Sequence, residues 1–259
     1  MSFASRLKAA VVEPNKVQLY WLGQAGFAIK TATGKILFID PYFTDSVYHS
    51  FCEENGYAFK RLSAPLLDAD DLASDEIYIS HEHGDHLDVE AFPQACAEEC
   101  TRIICNDESS KILKELGVET SKIEEVQVGD YIQGEGYSVR ILRANHGDLC
   151  PNAMGFLFDF GTVRIYYSGD TCFDEQLAKE VSAYAPDVCL LPVNGAFGNL
   201  NHEEAVKFAK IIKGKVLIPY HFWTFPLHLG EPLELIHMFE KDEQGLQLQL
   251  LMPGEPYLF

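Results

Sequence analysis

The chain has 259 residues, of which 47% are hydrophobic, enough to bury a substantial core within one α/β domain. Its formal net charge of −19 argues against nucleic-acid partners, because phosphate binding depends on clustered Lys and Arg. No segment offers about 18 uninterrupted apolar residues, and no linker composition marks a boundary. We therefore expect a single soluble domain over residues 1–259 without a membrane partner.

The cysteines indicate the compartment. Seven of them are scattered without a CxxC pair, which does not resemble a disulfide framework. The first twelve residues reach polar Glu13 before any apolar run of signal-peptide length. A reducing cytoplasm is expected, with Cys105 and Cys189 as small buried apolar fillers. The residues leave the oligomeric state open, with a homo-oligomer as one alternative.

The first half of the chain reads as short strands followed by β-α alternation. Strands are predicted at residues 17–22, 27–30, 36–39, 76–80, 102–105 and 123–126. Helices are predicted near residues 89–99 and 108–116. Residues 45–73 lack regular periodicity and are predicted to form a long excursion, which at that length is functional or mobile.

The second half repeats the alternation and predicts a layered α/β protein. Strands are predicted at residues 137–142, 155–160, 164–167, 188–191 and 216–218, with helices at 203–212 and near 233–240. Asn201 followed three residues later by Glu204 is typical of a helix start with reciprocal capping.

The strongest functional signal is an HxHxDH cluster, residues 81–86, that directly follows a predicted strand. His81, His83, Asp85 and His86 converge only where a tight loop turns them inward, and Gly84 supplies freedom for such a turn. Imidazole and carboxylate are ligands that zinc and manganese accept, and the absence of Cys disfavours a closed structural zinc site. The cluster therefore predicts a catalytic metal site.

Three later residues also come just after apolar strands and so share the strand-end edge expected for an α/β site. These are His146, Asp170 and His221. Each alone is typical of an ordinary loop residue, but together and in this order they complete the ligands that a second metal needs.

This order of residues resembles the metallo-β-lactamase superfamily, over roughly residues 20–226. The resemblance implies a four-layer αββα sandwich of two mixed β-sheets flanked by helices. It also implies the ligand sets: His81, His83 and His146 for a first metal, and Asp85, His86 and His221 for a second, with Asp170 bridging both.

Within the superfamily, three segments resemble the branch of bacterial L-ascorbate-6-phosphate lactonases: residues 20–27 (YWLGQAGF), 39–41 (IDP) and 167–171 (YSGDT). The small bacterial metal-dependent hydrolases are also similar, with an additional likeness in residues 224–226 (TFP). The chain is shorter than the lactonases, chiefly between Asp40 and His81 and near the C-terminus.

The expected chemistry is hydrolysis by a metal-bound hydroxide in a dinuclear site of two divalent ions, zinc or manganese, with iron as an alternative. Asp85 and Asp170 are the candidate catalytic carboxylates. With neutral imidazoles the centre retains a positive charge, which favours a small anionic substrate. A small lactone or ester is therefore expected. A small phosphodiester is the alternative, ahead of a nuclease, flavin-associated diiron redox chemistry or a non-catalytic metal-binding module.

Residues around the ligands carry further expectations. Asp40, at the end of a strand, is a candidate to orient a ligand histidine from behind, or else a turn Asp before Pro41. His228 is a candidate substrate contact, and His202 belongs to a helix start or to the pocket. Three aromatic residues next to the last ligand in the sequence form a pocket wall or ordinary packing, and Glu82, His49 and His237 are expected outside the site. The aromatic residues are Tyr220, Trp223 and Phe225.

Overall fold

Two mixed β-sheets of seven strands each form the framework of this computed structural model, which describes residues 1–71, 74–93, 102–240 and 245–259. The chain divides into two compact units. The first comprises Met1–Val126, Thr224–Leu227 and Met252–Phe259, and the second comprises Gln127–Trp223 and His228–Leu251. Each unit contains one sheet. The expected single domain stays a prediction.

The sheet of the first unit contains most of the early predicted strands. Its strands, numbered in chain order, are β1 (Val17–Gly23), β2 (Gly26–Thr31), β3 (Ile36–Ile39), β4 (Glu76–Tyr78), β5 (Arg102–Cys105), β6 (Ile123–Glu125) and β14 (Pro256–Leu258). They are ordered β14-β1-β2-β3-β4-β5-β6, antiparallel from β14 to β3 and parallel from β3 to β6. Because β3 and β4 are parallel neighbours, Asp40 and the loop carrying His81 lie at the same sheet edge.

Fully buried apolar side chains line this sheet, among them Phe38, Ile77 and Ile103. The described helices of the unit are α1 (Phe3–Ala9), α2 (Ser46–Asn55) and α3 (Asp107–Glu115). Helix α1 contributes buried Phe3 and Leu7 to the same core. The core fixes the strands whose ends carry the histidine cluster.

The sheet of the second unit is also mixed. Its strands are β7 (Tyr131–Gln133), β8 (Ser138–Arg143), β9 (Met154–Asp159), β10 (Arg164–Tyr167), β11 (Val188–Pro192), β12 (Val216–Tyr220) and β13 (Gln247–Leu248). They are ordered β13-β12-β11-β10-β9-β8-β7, with β10 to β13 parallel and β7 to β10 antiparallel. Strands β8 and β10 flank β9 and run in the same direction, so the loops with His146, Asp170 and His221 leave from one edge.

The described helices of the second unit are α4 (Glu175–Ser182), α5 (His202–Ile212) and α6 (Pro232–Glu240). Helix α5 begins with the predicted capping box: the Asn201 side chain accepts from Glu204 N at 2.9 Å, and the Glu204 carboxylate accepts from Asn201 N at 3.0 Å. It ends at Lys213 in the left-handed conformation. The predicted start of this helix is confirmed.

Residues 45–73 are not wholly irregular, because helix α2 lies within them; only Ser46 and Val47 of that helix are buried, so its sequence lacks an apolar stripe. Most of the helix predicted near residues 89–99 lies outside the described residues. The buried positions of Cys105 and Cys189 confirm them as apolar fillers, and burial raises the pKa of both thiols to about 12.

Removal of the α5 cap gives a first testable expectation. Asn201→Ala deletes the acceptor for Glu204 N and is expected to destabilise the protein by about 1 kcal/mol. Chemical denaturation of the metal-loaded protein measures this loss. The control Lys210→Ala, on the last turn of the same helix, should change the free energy of unfolding by less than about 0.5 kcal/mol. An Asn201→Ala protein as stable as the control would contradict the capping role.

Candidate metal centre

The HxHxDH cluster of the first unit lies in the loop after β4. His81 and His86 are fully buried, and their ring centroids are 4.0 Å apart. His81 Nε2 lies 2.9 Å from His83 Nδ1, so the two imidazoles direct ring nitrogens toward each other. Asp85 completes the cluster, with one carboxylate oxygen 3.9 Å from His86 Nε2. The structure therefore brings the four predicted residues of this loop together.

Asp40 is wholly buried behind this cluster. Its carboxylate accepts a hydrogen bond from Ser80 N at 2.7 Å, a second from the Ser80 hydroxyl, and lies 2.7 Å from His86 Nδ1. A buried carboxylate beside Nδ1 keeps the imidazole proton on that nitrogen. Nε2 is then unprotonated and can act as a metal ligand. Asp40 thus occupies the position expected of a residue that orients a ligand histidine from behind.

Asp40, His81 and His86 also form a group whose potential ligand atoms lie within 4.8 Å of one another. The potential metal-ligand atoms in this group are imidazole nitrogens and a carboxylate oxygen. In His81 and His83 two imidazole nitrogens face each other. Both can be unprotonated if a cation lies between them and binds their lone pairs, whereas a direct hydrogen bond requires one of them to carry a proton. The residues present therefore fit a divalent metal of the zinc, manganese or iron type.

Two residues that sequence reasoning did not single out support the loop. The Gln24 amide donates to Asp85 Oδ2 at 2.8 Å. The buried Asp88 carboxylate accepts from Phe43 N and Thr44 N, each at 2.8 Å, which ties the loop to the segment after β3. These contacts restrict where the Asp85 and His86 side chains can point.

Gly84 packs closely against α2 and does not provide the backbone freedom expected of it. Its backbone is not among the positive-φ residues, so no left-handed turn requires glycine there. A Cβ at this position would lie 3.3 Å from Val47 Cγ2. The glycine allows close packing against α2 instead of supplying unusual backbone freedom.

The second unit places one carboxylate between two imidazoles. Asp170 is buried, with Oδ2 3.7 Å from His146 Nε2 and Oδ1 3.5 Å from His221 Nε2. Each histidine therefore approaches a different oxygen of the same carboxylate. This is the arrangement in which a carboxylate can bridge two cations.

The loop carrying Asp170 is held by contacts that do not involve the Asp170 side chain. Tyr220 and Ser168 donate their hydroxyl groups to the Gly169 carbonyl at 2.7 and 2.8 Å. The Asp170 carboxylate itself accepts from the buried Asn199 amide at 2.8 Å. Asn199 lies in the loop before α5 and was not predicted as a site residue.

Left-handed backbone occurs at candidate or supporting residues of each unit. His221 has φ 64°, Asp40 has φ 42° and Gln24 has φ 47°. For a residue with a Cβ this conformation costs on the order of 1 kcal/mol, and such strain concentrates at functional sites. His228, the candidate substrate contact, is buried with its ring centroid 6.2 Å from that of His221 and 4.5 Å from that of Phe197.

The remaining candidates have contacts of their own. His49 is exposed beside Glu90 at 2.8 Å, and His237 is exposed within α6. His202 is the first residue of α5, with Nδ1 3.4 Å from Glu231. The Glu82 carboxylate accepts from the Asn106 amide at 3.4 Å. Of the aromatic residues after β12, Phe225 packs on Tyr42 and Trp223 is 58% exposed.

Known proteins resemble this chain over most of its length. A protein-family model described as "Beta-lactamase superfamily domain" matches residues 18–221. A "UPF0173 metal-dependent hydrolase" of Archaeoglobus fulgidus is 29% identical over 94% of this chain and 99% of its own length. One of Hyperthermus butylicus is 25% identical over 92% of this chain and 98% of its own length. Both organisms are archaea, so the predicted resemblance to bacterial hydrolases stays a prediction.

Solved structures show the same fold. An isothiocyanate hydrolase from Delia radicum gut bacteria is similar with a TM-score of 0.77 and 19% identity, covering 93% of this chain and 98% of that protein. Igni18, a metallo hydrolase from Ignicoccus hospitalis, has a TM-score of 0.69 and 21% identity, covering 94% and 98%. The predicted fold class, two mixed sheets with flanking helices, is confirmed. Within the described part of the chain, no helix has the length and apolar character to cross a membrane.

Proposed function

The chain belongs to the metallo-β-lactamase superfamily and is a metal-dependent hydrolase, and we propose that it opens a small anionic lactone or ester. The observation that carries this proposal is the buried Asp170 carboxylate, which has a different histidine near each oxygen. A carboxylate so placed suits a dinuclear centre. Such centres hydrolyse acyl and phosphoryl compounds, so the substrate class needs a further argument.

We propose that the seven predicted ligands form one centre for two divalent ions, zinc or manganese, with iron as the alternative. His81, His83 and His146 would hold the first ion, and Asp85, His86 and His221 the second, with Asp170 bridging. The paired imidazoles of the first unit and the carboxylate between two imidazoles of the second support this assignment.

The bound ions would lower the pKa of water and polarise the substrate carbonyl. The protein's own groups then have distinct tasks. Asp40 keeps the His86 proton on Nδ1, and Asn199 fixes the rotation of the Asp170 carboxylate by donating to Oδ2. Gln24 does the same for Asp85. These contacts hold the metal-ligand side chains in place before the substrate binds. The reaction therefore does not have to include the free-energy cost of arranging them.

The charge of the site favours an anionic substrate. Two bound divalent ions would carry more positive charge than Asp85 and Asp170 carry negative charge, and neutral imidazole ligands would add none. The surface as a whole is strongly acidic, with a net charge of −19, and repels extended polyanions. A compact anion satisfies both conditions. The likeness of residues 20–27 and 167–171 to ascorbate-phosphate lactonases supports the same class, and a cytoplasmic location is part of this proposal.

The test compares substrates under identical metal loading and salt. We expect kcat/KM for a phosphorylated sugar lactone to exceed that for bis(p-nitrophenyl) phosphate and for a short RNA by at least about tenfold, or 1.4 kcal/mol of transition-state binding. Raising the ionic strength should increase kcat/KM for the RNA more than kcat/KM for the lactone, because salt screens the repulsion between the acidic surface and the RNA. A tenfold preference for the phosphodiester would instead assign the protein to phosphodiester hydrolysis.

A further inference from the structure

Arg61 carries a charge that its protein neighbours do not fully neutralise. Its guanidinium lies over the Tyr42 ring, 4.9 Å from the centroid, and donates from Nη1 to the Tyr42 carbonyl at 3.1 Å. Nε donates to the Ser63 carbonyl at 3.4 Å. Across the described ranges, no carboxylate oxygen lies within 4.0 Å of this guanidinium. These two hydrogen bonds use Nε–H and one N–H of Nη1, so further N–H groups of the guanidinium can donate to a ligand.

The nearby carboxylates already have partners. Asp88 accepts from Phe43 N and Thr44 N, and Asp45 forms an ion pair with Lys60. Burial lowers the pKa of Arg61, because the loss of solvation outweighs the attraction of Asp45 and Asp88. Arginine nevertheless remains protonated. A partly buried cation of this kind gains stability when an anion binds to it.

The position of Arg61 relates it to the metal ligands of the same unit. A Cβ on Gly23 would lie 4.0 Å from Arg61 Nη2, so this end of the guanidinium faces the turn after β1. The next residue in that turn, Gln24, donates to Asp85 at 2.8 Å. Arg61 Nη1 also donates to the carbonyl of Tyr42, two residues after Asp40. Arg61 therefore lies beside the segments that carry Gln24 and Asp40, whose side chains contact Asp85 and His86.

We propose that Arg61 binds the anionic group of the substrate, a carboxylate or a phosphate, beside the metal ligands of the first unit. The inference rests on the proposed function, and it names the residue that selects charged over neutral substrates. The two Nη groups form a planar fork that matches two oxygens of such an anion. Arg61 would act in binding, while the metal ligands act in the reaction.

Inorganic phosphate and acetate are suitable probes, titrated calorimetrically into metal-loaded protein. Arg61→Met should raise the phosphate Kd at least about tenfold, because a charge-assisted bidentate contact is lost. Arg61→Lys should retain part of the affinity. The control is Arg140→Met, which removes the same charge from a side chain lying between the Tyr131 and Tyr184 rings of the second unit. Its Kd should stay within about twofold of wild type.

Wild-type affinity in Arg61→Met, with full metal content, would overturn the proposal. Where a variant fails to fold, mass spectrometry of phenylglyoxal-treated wild-type protein replaces it. Phosphate should protect Arg61 from modification and leave Arg140 reactive, and an unprotected Arg61 would refute anion binding. For a carboxylate-selective site, acetate rather than phosphate should show both effects.

Turnover separates this inference from the proposed function. Arg61→Met should lower kcat/KM at least about tenfold for a charged lactone and leave a neutral lactone of the same ring size within twofold. An equal loss for both substrates would make Arg61 a structural residue. If the wild type hydrolyses no lactone or ester, the proposed function fails, while the phosphate titration still decides the role of Arg61.

Discussion

Asp170→Ala is expected to reduce hydrolysis by at least about 10³-fold, or 4 kcal/mol, while the protein stays folded. Its carboxylate lies between His146 and His221, each near a different oxygen, so its removal disturbs the donors of both proposed ions at once. The fold should survive because Tyr220 and Ser168 hold the loop through the Gly169 carbonyl.

Metal content and unfolding free energy should be measured alongside activity. The expected result is less than one tightly bound ion per chain in Asp170→Ala, with native circular dichroism. Asp187→Ala is the matched control: this carboxylate accepts from Arg164 N at 2.9 Å, away from the histidines, and its loss should leave metal content and turnover unchanged. Near-normal turnover in metal-loaded Asp170→Ala would remove Asp170 from the bridging role.

The position of the candidate ligands was predictable because it depends on local patterns. Short apolar strands were recognisable, and a polar residue just after each of several parallel strands must lie at a common edge. The structure has this arrangement in each sheet, with His81 after β4 and Asp170 after β10. The capping box of α5 was predictable for the same reason, since all its partners lie within three residues.

The supporting contacts were not predictable, because they join residues far apart in the chain. Gln24 and Asp85 are separated by 61 positions, and Asn199 and Asp170 by 29. Nothing in the local sequence of an amide indicates which carboxylate it will meet. Helix α2 was missed because it buries only two residues. Helix α4 was also missed, although its sequence carries a signal: Asp174 as cap, followed by the apolar positions Leu177, Ala178 and Val181.

The strand-end position of Asp40 was predictable from the sequence, whereas its hydrogen-bond partners were not. Asp40→Asn preserves size but replaces one acceptor oxygen by an NH₂ group. In the wild type, His86 Nδ1 lies 2.7 Å from Asp40 Oδ2. The NH₂ group of Asn would face the proton on that nitrogen. To avoid two opposed donors, His86 should move its proton to Nε2. A protonated Nε2 cannot bind a metal, so affinity for the second ion should fall about 10- to 100-fold or more.

Metal titration of the apoprotein followed by turnover assays tests this expectation, and the tautomer itself can be read from ¹⁵N shifts of the His86 ring. Asp75→Asn is the matched control because Asp75 accepts from Ile36 N at 2.9 Å, at the opposite end of the same strand. Both changes remove one carboxylate charge at a strand end, but only Asp40 touches a candidate ligand. Asp40→Asn should therefore lose metal affinity and Asp75→Asn should keep it. Equal metal affinity in the two variants would mean that the carboxylate behind His86 does not set its tautomer.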